Sequence, residues 1–294
     1  MNQIKRHDPD AENAKVREGR LAKSIERNLA KATDYPGMLK LTQQNALLRT
    51  CFRLLRSDGE VCRVPRRACS CRCRWQCLLR RCKVPSGEEF QFTVRERMTL
   101  KATGSTSDHE VVVWLESLWA CLISRNEPAT DELCKFPVNS LRTIDGTYAP
   151  FVYSWAEAVL SFCLREDAAL SKLNAALSAT APDKVDRDLL NIALQIYYPQ
   201  MKVLHHLATH NVDEFNKALA QAVDLHREFW TVDQYRATDP DGYFSLPLTA
   251  MAAIAHDIGM AVTVESEYLP ARFIIGEGFK RSAVENNRLR QSGQ

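Results

Sequence analysis

Thr209–Val223 reads THNVDEFNKALAQAV, and Leu164–Leu177 reads LREDAALSKLNAAL. In each, an Asp (Asp213 or Asp167) opens a helix. Apolar residues follow it two or three and then six positions later: Phe215 and Leu219 in one, Leu170 and Leu173 in the other. That is helical spacing. Two junctions of one kind, reached by short turns, predict stacked antiparallel helical hairpins. Outward from them, periodicity and breakers predict helices at about 150–165, 167–179, 184–208, 212–230 and 246–258.

The N-terminal third is patterned less regularly. Leu21, Ile25 and Leu29 stand four apart within 11–33, and residues 37–56 carry Leu39, Leu41, Leu47, Leu48, Phe52 and Leu55; both predict helices. Over 88–100, Phe90, Phe92 and Val94 alternate with polar residues, which predicts a strand. Thr103 to Asp108 has loop composition, and Asp108 is placed to cap a helix over 109–125. Pro128, Pro137 and Pro150 punctuate a region of short helices. Trp114, Trp119, Trp155 and Trp230 fall in helical apolar patterns and are assigned to the core. The fold class is mainly α: helical hairpins packed as an irregular bundle or short solenoid-like array, with a minor β element. The expected division is an N-terminal region over 1–104, a helical domain over 105–280 and a polar tail over 281–294.

The chain has 294 residues, 45% hydrophobic and 26% charged, enough to bury a core without disulfides or metal. A net charge of +3 does not point to direct nucleic-acid binding. No signal-peptide pattern opens the sequence and no run is apolar enough to span a bilayer, so a cytoplasmic location is expected.

Six of the ten cysteines (Cys62, Cys69, Cys71, Cys73, Cys77 and Cys82) share a segment with seven arginines and no acidic residue. Zinc sites bring thiolates in as CxxC pairs, and no such pair exists here. The arginines and Trp75 also suit a phosphate-and-base patch, but acidic residues elsewhere offset the charge. The alphabet of CSCRCRWQC is nearly the Cys, Arg, Ser and Gly that alanine codons give when read one position out of frame. We favour two compensating frame changes, near Gly59–Cys62 and near Lys83, which resequencing tests.

Catalytic signatures are sparse. No phosphate-binding loop, dinucleotide fingerprint or nucleophile elbow is present. His256–Asp257 is an HD dipeptide of the kind that binds metal in helical phosphohydrolases, with His205, His206 and His210 as possible further ligands. A helix-end histidine beside a turn-forming aspartate is the plainer account. No catalytic residue, metal or cofactor is assigned.

Ser245–Pro270, SLPLTAMAAIAHDIGMAVTVESEYLP, combines a small-residue helix, a stop at Gly259, a short β-type run and an exposed acidic-aromatic turn. If Val262 and Val264 point inward, Glu265 and Glu267 share the outer face beside Tyr268. Asp239, Asp241 and Tyr243, in TDPDGYFS, make a similar acidic loop at a strong turn signal.

The stretch PLTAMAAIAHDIGMAVTVESEYLP resembles the C-terminal signature of the immunity protein 49 family of bacterial polymorphic toxin systems. KVPSGEEFQF (Lys83–Phe92) and the helical middle resemble it more weakly. The resemblance implies a largely helical cytoplasmic protein that binds and blocks a cognate toxin without catalysis. Asp239, Asp241, Tyr243, Glu265, Glu267 and Tyr268 are the expected contacts. The alternatives are a metal-dependent hydrolase on His256 and Asp257, or a helical adaptor.

Overall fold

A computed structural model describes residues 4–7, 11–32, 35, 38–55, 87–93, 97–101, 110–144 and 148–277. The Cys/Arg-rich segment, the 103–108 loop with Asp108, the 104/105 boundary and the polar tail lie outside the described residues.

The order of elements is α1 (Ala11–Lys31), α2 (Met38–Leu55), β1 (Glu89–Thr93), β2 (Arg97–Lys101), α3 (Val111–Ile123), α4 (Glu127–Cys134), α5 (Val138–Ile144), α6 (Pro150–Cys163) and α7 (Ala169–Ala179). There follow α8 (Leu190–Ile192), α9 (Tyr198–Ala208), α10 (Val212–Thr231), α11 (Gln234–Ala237), α12 (Leu246–Asp257) and α13 (Ala271–Ile274). The pairs α1/α2, α6/α7 and α9/α10 pack as hairpins. The chain is a mainly helical bundle, as its periodicity predicts.

Two helices form the centre. α3 buries residues around its whole circumference, from Val111 through Trp114, Leu118 and Trp119 to Ile123, as a helix apolar on every side must. The Trp114 indole N–H donates to the Leu133 carbonyl at 3.3 Å, so its one polar atom is satisfied. α12 packs against α3. Its buried Ala250, Ala252, Ala253 and Ala255 are small enough for the two backbones to approach closely. Met251, Leu248 and the rings of Trp155 and Phe151 complete a continuous core.

The structure departs from the sequence expectation in two places. The predicted single strand over 88–100 is an antiparallel pair, with Phe90 opposite Leu100 and Thr93 opposite Arg97. The predicted helix over 184–208 is broken: a 3-10 turn at Arg187–Leu189, then α8, then a π turn at Ala193–Tyr197, then α9. Pro199 accounts for the π turn. Its missing N–H and its ring against the preceding turn forbid a regular α-helix there, and the wider turn absorbs the conflict.

The helix junctions share one device. Arg125, Arg165 and His210 all adopt left-handed φ, at 51°, 57° and 54°. Each follows a helix and closes the paired bonds of a Schellman cap. At His210 these are His210 N–H to Leu207 O (3.1 Å) and Asn211 N–H to His206 O (3.0 Å). Asn211 then caps α10, its side-chain oxygen accepting the Glu214 N–H at 3.2 Å. The caps differ from expectation: Asp213 lies inside the first turn of α10, and α7 starts after Asp167 with no side-chain cap. Gly259, with φ of 81°, ends α12 in the same way.

Candidate functional site

The 239–245 loop is built by its own first residue. The Asp239 carboxylate accepts the Asp241 N–H at 3.0 Å, and Pro240–Gly242 form a 3-10 turn. Gly242 sits directly on the Trp230 ring; a Cβ there would stand 2.7 Å from Trp230 Cγ. The Gly242 carbonyl receives a bond from His226 Nε2 at 3.1 Å. A carbonyl only accepts, so Nε2 carries the proton. Burial lowers the His226 pKa to about 4, and the ring is neutral at pH 7.

The second acidic segment, 264–268, alternates as expected. Val264, Ser266 and Tyr268 are buried, and Glu265 and Glu267 are exposed. It is held from outside by the N-terminal residues. Ile4 bridges Ser266 in parallel, with Ile4 N–H to Glu265 O at 3.2 Å and Glu267 N–H to Ile4 O at 3.3 Å. The Arg6 N–H donates to Glu267 Oε2 at 2.9 Å, while its Nη1 reaches the Tyr243 carbonyl at 3.3 Å. His7 donates its N–H to the Tyr268 hydroxyl at 3.1 Å, and its ring contacts both Tyr243 and Tyr268. Residues 4–7 are thus a strap that joins the two acidic segments into one surface.

The two tyrosines differ from the exposed acidic-aromatic turn expected of them. Tyr243 is 2% exposed and Tyr268 is fully buried. Tyr243 OH donates to the Thr238 carbonyl at 3.2 Å, and Tyr268 stacks edge-on to His226 with centroids 5.2 Å apart. Both rings support the surface from beneath. Asp241, Glu265 and Glu267 are exposed and Asp239 is half-buried, so the acids form the outer layer.

Behind the loop lies a cavity of about 290 Å³. Trp119, Trp155, Trp230, Tyr197 and Phe244 line it, with Cys51 from α2 and Ser245 and Leu246 from the start of α12. Trp230 is only half-buried, unlike the other three core-assigned tryptophans. Glu116 and Asp241 are the lining carboxylates. Asp241 keeps an open face, but the cavity wall crowds it; lost hydration and the Asp239 charge raise its carboxyl to about 6, a rise that the open face tempers. Burial, with Glu116 beside it, pushes the Tyr197 phenol up to about 12. Burial likewise holds the Cys51 thiol well above its usual range, which leaves it protonated and unreactive.

Asp257 is committed elsewhere, and His256 is exposed beside it, its Nδ1 3.4 Å from Asp257 Oδ1. Arg125 Nε donates to Asp257 Oδ2 at 2.9 Å and its Nη2 to Oδ1 at 3.2 Å. The same guanidinium bonds the carbonyls of Ile123, Phe273 and Ile274. Asp257 therefore anchors a guanidinium that fastens α13 to the end of α3. His205 and His206 meet edge to face at 5.3 Å, and His210 occupies its left-handed cap. Among the described residues, no group of three or more His, Cys, Asp or Glu is arranged to hold a metal ion. No helix among them is long and apolar enough to cross a membrane.

The cavity went unseen in the sequence because its walls come from α2, α3, α6, the π turn, α10 and α12, all distant in sequence. Pro199 within a predicted helix was the one local sign of it.

A family model described as Immunity protein 49 matches residues 66–273. No curated protein and no solved structure matches the chain.

Proposed function

The chain belongs to the immunity protein 49 family, and on that premise we propose that it protects a bacterial cell by binding a toxin in the cytoplasm and blocking it. Membership makes it an immunity protein whose partner is a toxin. Inhibition by binding asks only for a complementary surface. Nanomolar affinity corresponds to about −12 kcal/mol, which an interface of about 1,600 Å² supplies.

The family match carries this reading, and the geometry supports it. Asp239, Asp241, Glu265 and Glu267 occupy two segments stitched together by one strap. Tyr243 and Tyr268 beneath them fix the backbone. A prearranged acidic face loses little freedom on association and steers a basic partner. A nuclease, whose own site is basic to receive phosphate, fits that description.

Co-expression with the product of the adjacent gene is the direct test. Survival of the host and co-purification of a stable complex are expected; killing without a complex rejects the reading. Charge reversal at Asp241 and Glu267 (Asp241→Lys, Glu267→Lys) is expected to weaken toxin binding about tenfold or more each, chiefly through the association rate. Unchanged affinity removes this face from the interface.

A further inference from the structure

We propose that Cys134 and Cys163 form an oxidisable dithiol, a modification site at which hydrogen peroxide joins the two sulfurs and staples the end of α4 to the end of α6. This site is independent of the toxin-binding reading above.

Both thiols are carried by helix ends. Cys134 is the last residue of α4 and Cys163 the last of α6, and both helices pack on α3. Backbone bonds fix each end. Lys135 N–H reaches Asp131 O at 3.2 Å and Phe136 N–H reaches Leu133 O at 3.1 Å. Leu164 N–H reaches Leu160 O at 2.9 Å and Arg165 N–H reaches Phe162 O at 3.1 Å. On this frame the two thiols meet in a hydrogen bond. Sulfurs already in contact need little further approach to bond, whereas thiols on distant or divergent positions cannot be bridged without moving the backbone.

The contact gives the two sulfurs different parts. The Cys163 S–H donates to the Cys134 sulfur, which lowers the Cys134 thiol below its usual range against the opposing effects of burial and Asp131. Donating, together with burial, raises the Cys163 thiol well above its own. Cys134 therefore ionises first and attacks, and Cys163 resolves. Cys134 is 8% exposed and Cys163 half-buried, an opening that admits a molecule little larger than water.

The Cys134 thiolate attacks one peroxide oxygen and the O–O bond breaks. A sulfenic acid forms on Cys134, and the departing hydroxide takes up the proton that the thiol released, giving water. The Cys163 sulfur then attacks the Cys134 sulfur and the S–O bond breaks. The hydroxyl leaves with the Cys163 proton as a second water. Two thiols and one peroxide give one disulfide and two waters, the sulfurs losing the two electrons that the peroxide gains. The new bond closes a loop of about 30 residues around α5 and so restricts the unfolded chain. A thiol reductant reverses it.

Trypsin cuts after Arg125, Lys135, Arg142 and Arg165, so the two cysteines fall in separate peptides, 126–135 and 143–165, with no other cysteine in either. The full-length protein is treated with a slight molar excess of hydrogen peroxide, alkylated, digested without reductant and read by mass spectrometry. The linked pair 126–135/143–165 is expected, and dithiothreitol is expected to abolish it. The melting temperature is expected to rise on oxidation by about 5 °C more in the wild type than in Cys134→Ala or Cys163→Ala. Both thiols recovered alkylated, or Cys134 recovered as a sulfinic acid, overturns the dithiol. So does a linked pair that forms only in denaturant, or either cysteine joined chiefly to another partner. These readings need no variant and hold even if a variant fails to fold. A linked pair without the extra rise in melting temperature overturns the staple.

Discussion

Single residues set the shape of the acidic loop. Gly242 has an ordinary φ but no room for a side chain: a Cβ would lie 2.7–2.9 Å from three atoms of Trp230. Gly242→Ala is expected to displace that indole and cost about 1–3 kcal/mol, read as a lower urea midpoint together with altered tryptophan emission. His226 makes stability depend on pH. Its folded pKa of about 4 lies below the ordinary 6.5, so the unfolded chain binds the extra proton between those values and stability falls as pH is lowered through that window. The effect is on the order of 3 kcal/mol. Asp241 acts with the opposite sign between 3.8 and about 6, but its open face weakens it. Denaturation at pH 7 and pH 4.5 is expected to show net acid destabilisation, and His226→Gln to remove most of it; a pH slope unchanged in that variant rejects the assignment. Neither feature was visible in the sequence. The DPDG turn was legible because turn chemistry is local, whereas Trp230 and His226 reach that turn from a helix more than ten residues away.

At the scale of elements, the helix ends show what local pattern can and cannot reveal. Gly259 announced the stop of α12, since a glycine at that place is the common way to supply left-handed φ. Arg125, Arg165 and His210 do the same work without announcing it. Each carries a Cβ into a disfavoured region and persists because the cap bonds and the next hairpin hold it there. Arg165 and His210 are exposed. Arg165→Gly is therefore expected to raise stability by about 0.5 kcal/mol, and Gly259→Ala to lower it by about 1 kcal/mol. Thermal melts of the two variants check both signs. Helices read from apolar periodicity matched the observed ones to within about two residues at each end, the ordinary uncertainty of such boundaries. The 187–208 segment did not, because Pro199 acts through geometry that hydrophobic spacing does not encode.

Over the whole molecule, the strap at residues 4–7 decides whether the acidic surface exists as one piece. It adds backbone and side-chain bonds at Glu265, Ser266, Glu267 and Tyr268. Removing residues 1–7 is expected to cost about 2–4 kcal/mol and to speed amide hydrogen exchange at Glu267 more than in α3. Exchange that stays slow at Glu267 rejects the strap's role. No periodicity in the first ten residues foretold this contact, since a single bridge between distant segments leaves no repeating mark. The pairing spans 262 positions, and contacts that far apart form late. During synthesis residues 4–7 leave the ribosome before every other described residue and then wait, unpaired, until Ser266 follows them out. The acidic surface proposed above becomes one piece only after Ser266 has emerged, so a chain that stops short of it lacks the strapped surface.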